Sequence, residues 1–194
     1  MKAYTNTTKA AAATVVSVAA LAGGALAHGA TVREAPGPDL QARVVQLGAV
    51  QGFWAADCPI ALRDATAWAG GDTDEAAALQ REGFAVGVRE LLRSASGDMG
   101  VSVALRFRSA SGAEADLNRR EQLAGRDAYA TNFAVPGSPA VHAYTVRAAG
   151  STTVHVAFTR GADEYALAVG AKGTDVPTLQ RALATAISRV AGRR

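Results

Sequence analysis

Residues 84–109 read FAVGVRELLRSASGDMGVSVALRFRS, and the fold class turns on how this stretch is parsed. Phe84, Val86 and Val88 alternate with Ala85, Gly87 and Arg89. Further on, Val101, Val103, Leu105 and Phe107 alternate with Ser102, Ala104, Arg106 and Arg108. A period of two puts each apolar set on one side of an extended chain, and SASGDMG between the runs is turn chemistry. The stretch therefore predicts an antiparallel hairpin with one buried face.

Helical signals flank it. Upstream, Asp72 and Glu75 have the spacing of an N-cap and its reciprocal partner, opening TDEAAALQRE, which Gly83 closes. Downstream, Ser111 and Glu114 repeat the signature ahead of AEADLNRREQLA, ended by Gly125. Three more alternating runs follow at 141–147, 153–159 and 164–169, joined by the turns RAAGST and TRGADE. The last element is a helix over 175–190, with Val176, Leu179, Leu183, Ile187 and Val190 in one apolar stripe. Leu40, Val44, Val45 and Leu47 suggest another helix, whereas residues 52–71 show no clear period.

These elements specify an α+β class: a single domain over residues 40–194 with a mainly antiparallel twisted sheet, helices packed on one face and a C-terminal amphipathic helix. A doubly wound nucleotide fold would need strand–helix–strand crossovers throughout, and the chain has neither G-x-G-x-x-G after a strand nor a phosphate loop. No cofactor is expected.

The N-terminus carries a different signal. Lys2 and Lys9 precede an uncharged Ala/Val-rich run from Ala11, which ends in small residues at Ala25 and Ala27. This is the pattern of a secretory signal peptide over residues 1–27, to be cleaved before His28, with residues 28–39 a Pro/Gly-containing linker. The alternative is an uncleaved membrane anchor, since the run reaches the lower limit of a bilayer span, about 17 residues. The two leader lysines account for most of the net charge of +3, and the other basic residues are dispersed. That distribution argues against a nucleic-acid partner. The single cysteine, Cys58, allows no internal disulfide, and its neighbours in AADCPIAL suggest a small buried side chain.

The succession GFAVGVRE, SASGAEADL, NFAVPGSPAVHAYTV and VHVAFTRGADEYALAVGA, followed by the terminal helix, resembles a group of exported actinobacterial cell-envelope proteins of unassigned function. Their architecture is similar to PsbP-like domains and to the extracellular sensor domains of actinobacterial kinases. The resemblance spans roughly residues 84–190 as a pattern, and it implies an envelope location without supplying active-site residues.

Two function classes follow. In the first, an exported, non-enzymatic binding or accessory domain, Phe53, Trp54, Trp68, Phe133, Pro136, Pro139 and Tyr144 line an apolar groove for a lipid, glycan or peptide. The same side chains could instead seal an open sheet face. In the second, an exported enzyme, cleavage after Ala27 exposes His28 as a terminal amine plus imidazole. That chelate resembles the copper histidine brace of secreted monooxygenases, and only His142 and His155 could complete it. On the strand pattern His142 shares a face with Tyr144 and Val146, while His155 points to solvent. Hydrolase chemistry has less to build on: there is no G-x-S-x-G elbow, and Asp57, Cys58 and Asp64 carry no local signature.

Overall fold

The structure, a computed structural model, describes residues 38–126, 129–138, 140–148 and 151–191. Helix α1 (Pro38–Gly48) comes first, followed by strands β1 (Phe53–Ala55) and β2 (Ile60–Leu62). Helices α2 (Ala65–Trp68) and α3 (Thr73–Glu82) lead into the hairpin β3 (Phe84–Ser94) and β4 (Met99–Phe107). Helix α4 (Ala110–Gly125) precedes β5 (Thr131–Asn132), β6 (His142–Ala148), β7 (Ser151–Arg160) and β8 (Asp163–Ala171), and α5 (Val176–Ala191) ends the chain. The eight strands form one sheet in the order β1-β3-β4-β8-β7-β6-β5, with β2 also on the outer side of β3. Every pairing is antiparallel.

The α+β class, the antiparallel sheet and the C-terminal helix are as the sequence implies. The helices, however, divide between the two faces of the sheet instead of sharing one. On one face, α1 and α5 press Leu40, Val44, Leu47, Leu179, Leu183 and Ile187 onto Val88, Leu92, Val154, Val156, Leu167 and Val169. Each fully buried aliphatic side chain there contributes roughly 2 kcal/mol. On the other face, Val101, Val103, Leu105 and Phe107 of β4 meet Trp68, Leu79 and Ala113. Strand β4 is thus buried on both sides. Its Ser102 is fully buried and donates its hydroxyl proton to the Val44 carbonyl of α1 at 2.8 Å.

A register irregularity between Phe84 and Val86 separates two residues expected on the same face. Val86 faces α1, whereas Phe84 packs in the opposite cluster, 6.0 Å from the Trp68 ring and edge-on to Phe107. Trp68 itself lies flat over the sheet because Gly87 offers no side chain: a Cβ there would sit 2.4 Å from the indole.

The helix ends follow local chemistry. Asp72 caps α3 by accepting from the Asp74 and Glu75 amides, and Gly83 closes it at φ 84°. Ser109, not Ser111, caps α4, accepting from the Gly112 amide at 3.1 Å. Asp175 caps α5 through the Thr178 amide. The β3–β4 turn is tied to the loop before α5 by Asp98, a fully buried carboxylate that accepts the Lys172 and Gly173 amides at 2.6 and 2.7 Å. Burial alone would raise its pKa, but the Thr174 hydroxyl and these amides hold it well below the usual range.

The segment without a clear period resolves into two short edge strands flanking the Cys58 region. The Ala56 amide donates to the Leu91 carbonyl, and Asp57 Oδ1 accepts the Leu91 amide. Contrary to expectation Cys58 is exposed, because the chain lifts off β3 between β1 and β2. Asp57 and Asp64 are engaged separately, the latter as the N-cap of α2, so they build no site around the thiol. Val45 also faces outward, 47% exposed. No helix among the described residues is long and apolar enough to cross a membrane.

Candidate functional site

Helix α4 crosses β4, β8 and β7 on the sheet face opposite α1 and α5. Successive turns of its inner side present Asp116 and Leu117, then Arg119 and Arg120, then Leu123 and Ala124. From α3, Glu75 and Glu82 stand seven residues apart, two turns along one helix face, and both reach Arg119. The result is an ion cluster wedged between two helices and a sheet.

Its geometry is dense. Arg119 places Nη1 2.5 Å from Glu75 Oε2 and Nε 2.8 Å from Glu82 Oε1, and its Nη2 also donates to Asp116. Arg120 donates from Nε to Asp116 Oδ2 at 2.7 Å and from Nη2 to Glu75 Oε1 at 2.8 Å. Burial pushes the Asp116 carboxyl up, but the Arg120 and Arg119 guanidiniums outweigh it and keep the acid below its ordinary range. Glu82 moves the other way, raised by burial more than Arg119 can offset. Glu75, expected to close the α3 capping box, belongs to this cluster instead.

Beside the cluster lies a partly enclosed cavity of about 100 Å³. Val101, Val103, Leu105 and Leu117 form its apolar side, Trp68 closes one part, and Tyr144, His155 and Glu164 bring polar atoms. The register explains why these three meet: Tyr144 of β6 pairs with His155 of β7, and β8 presents Glu164, Ala166 and Ala168 on the face opposite Tyr165, Leu167 and Val169. The Tyr144 and His155 rings stack at 4.9 Å and 11°. Burial lowers the His155 pKa to about 4, helped by the positive charge of Arg120. Burial likewise raises Tyr144 to about 12.

Glu164 is only 2% exposed. Its Oε1 lies 3.9 Å from Arg120 Nε, too long for a hydrogen bond; its carboxyl hydrogen-bonds Asp116 when protonated, and its Oε2 has no other partner among the described residues. Burial and the adjacent Asp116 carboxylate raise its pKa well above the normal value and favour the protonated acid.

Of the seven residues expected to form a groove, the structure brings only Trp68 and Tyr144 to this cavity. Phe53 and Phe133 pack against the core on the α1/α5 face. Trp54 is 49% exposed on the edge strand β1, Pro136 is exposed in a turn, and Pro139 lies outside the described residues. His155 does not face solvent as the strand pattern suggested. α4 covers the side of β7 opposite Val154, Val156 and Phe158, and the imidazole stands against Tyr144. His142 does not line the cavity but pairs with Glu121, which does, its Nδ1 2.7 Å from Glu121 Oε2. His28 lies outside the described residues, and among those described no three His, Cys, Asp or Glu side chains are placed to hold a metal.

No protein-family model and no curated protein sequence matches the chain. Among solved structures, the extracellular domain of PknH from Mycobacterium tuberculosis aligns with a TM-score of 0.53 at 12% identity, covering 84% of this chain and 100% of that one. The two share a fold. At this identity the likeness concerns architecture alone, and it agrees with the kinase extracellular domains that the strand and helix succession resembles.

The polar cluster was the part that motif reading missed, although each member left a trace. Asp116, Arg119 and Arg120 stand at i, i+3 and i+4 on a helix with a thin apolar stripe, and Glu164 falls on the alternate face of a strand whose other face is apolar. Both patterns also describe solvated surfaces. Only the second helical layer turns them inward.

Proposed function

We propose that this chain is an extracytoplasmic, non-enzymatic binding domain that takes a small ligand into the cavity between α4 and the sheet. The observation that carries the reading is the cavity itself: a space of about 100 Å³ with an aliphatic wall, flanking aromatic rings and a buried carboxyl whose Oε2 accepts no hydrogen bond among the described residues. Apolar bodies with a few fixed polar groups are how proteins hold small molecules. A buried polar atom left unsatisfied costs about 1–3 kcal/mol, a cost that a ligand's hydrogen bond can relieve. The leader-like residues 1–27 support export, and the shared fold is that of a domain described as extracellular. The occupant is of small-molecule size, so a lipid chain, glycan or peptide would enter only by one terminal group.

The test is to fill the space from within. Ala166 lines the cavity on β8, and leucine in its place adds bulk toward α4. Purified wild-type chain and Ala166→Leu are incubated with a small-molecule extract of the producing culture and compared by native mass spectrometry. The reading expects a non-covalent adduct on the wild type that is absent from the folded variant. An adduct retained equally by both, or bare masses for both, overturns it.

A further inference from the structure

From the arrangement of charge around the cavity we infer that its ligand is a small amphipathic cation, an alkyl or aryl ammonium whose charged end meets Glu164 and whose apolar body lies on Val101, Val103, Leu105 and Leu117. The inference rests on the cavity being the binding site and goes further by naming the ligand class.

Charge decides between classes. Two guanidiniums, Arg119 and Arg120, stand among four carboxyl groups: Glu75, Glu82, Asp116 and Glu164. Both guanidiniums are already committed to carboxylates by hydrogen bonds of 2.5–2.8 Å, so they have little to offer an anion. The surplus is of carboxyl groups, and the oxygen that accepts no hydrogen bond among the described residues is Glu164 Oε2. The nearest acid, Asp116, raises the Glu164 pKa, and a cation placed between the two carboxyls would relieve their repulsion. An ammonium arriving there would form a charge-assisted hydrogen bond in a water-poor site, where such bonds are strong. Trp68 and Tyr144 line the same space, and aromatic rings attract cations.

Size and shape fit the class. A cavity of about 100 Å³ is smaller than the roughly 150 Å³ closed cavity that accepts benzene, but because it is only partly enclosed it takes one small ring or a short chain. The polar end is bounded by Glu164 of β8, His155 of β7, Tyr144 of β6, and Asp116, Arg119, Arg120 and Glu121 of α4, with Glu75 and Glu82 reaching in from α3. The pair needs the carboxyl ionised, whereas burial and Asp116 favour its protonated form. Acid therefore competes with the ligand. His155 takes no part above about pH 5, since it titrates near pH 4.

The experiment is isothermal titration of the full-length chain with cyclohexylamine hydrochloride and with cyclohexanol, its uncharged counterpart. Each titration is run between pH 5 and 8 in buffers of different ionisation enthalpy. The expected result is that the amine binds at least about tenfold tighter than the alcohol. Binding should weaken toward pH 5 with up to one proton released per site, and Glu164→Gln should bring the two ligands to parity. Equal affinities in the wild type, or a preference that survives Glu164→Gln, overturns the cation assignment. Should Glu164→Gln fail to fold, proton release decides: amine binding with no proton released at pH 5 overturns it equally. If the alcohol alone binds, the cavity stands as a site and the cation inference falls. If neither ligand binds, both fall.

Discussion

The two faces of the sheet are closed by different means. Beneath α1 and α5, side chains from both helices and five strands form a cluster that is almost entirely apolar, with Leu40, Leu183 and Ile187 fully buried. Beneath α4, a shorter apolar layer stops at a cluster of arginines and carboxyls, with a cavity between them. A face filled by aliphatic groups gains stability from area and needs no particular partner. A face held by paired charges gains less, because desolvation offsets the attraction, but it fixes directions and can keep a space open. On the proposed function, one side supplies stability and the other recognition.

The comparison can be broken most forcefully at Asp116. This carboxylate is fully buried and shared by Arg119 and Arg120, so Asp116→Ala should destabilise the fold by about 3–5 kcal/mol in chemical denaturation. A cost below about 1 kcal/mol would mean that the cluster organises nothing. Leu183→Ala on the opposite face should cost about 3 kcal/mol through the hole it leaves. Ligand binding by the folded protein should survive that change, and if it does not, the faces are not independent.

Titration separates the faces further. His155 is held near pH 4 against an ordinary 6.5, so the fold prefers it neutral. Its contribution is whole above pH 6.5 and is lost as pH falls toward 4, about 2 kcal/mol after allowing for partial screening. His155→Phe should flatten that part of the stability–pH curve, and an unchanged slope would place the imidazole in water. Glu164 has the opposite sign: a carboxyl raised above 4.5 favours the fold while protonated, and that preference is lost as pH rises. Glu164→Gln should therefore gain stability relative to the wild type as pH climbs from 4.5 to 8, whereas a constant difference would show that the acid does not titrate abnormally. The smallest effect belongs to Val45, exposed on the outer side of α1, where serine should change stability by no more than about 0.5 kcal/mol.

Period and punctuation in the sequence were enough to place the five long strands, the α3 and α5 helices and the apolar stripe of α5, because each depends on local spacing and turn residues. That helices cover both faces of the sheet was not legible for a physical reason. Ser102 and Ala104 look like an exposed strand face, yet small side chains are what allow α1 to approach that closely, and the Ser102 hydroxyl finds the Val44 carbonyl. The same ambiguity hid the site. His155 and Glu164 alternate with apolar neighbours as solvent-facing residues do, and Asp116 with Arg119 and Arg120 is the spacing of an ordinary surface ion pair. Trp68 and Tyr144 were recognisable as candidates because large aromatics are informative wherever they lie. Phe53 and Phe133, equally large, went to the opposite core.

The measurement that tests the account most directly is methyl nuclear magnetic resonance of the chain labelled at leucine and valine, titrated with cyclohexylamine. Val101, Val103, Leu105 and Leu117 report from the cavity, while Leu40, Val44, Leu183 and Val190 report from beneath α1 and α5. The account predicts saturable shifts in the first group with the second unmoved. Shifts centred on the second group, or none in the first at saturating ligand, would contradict it.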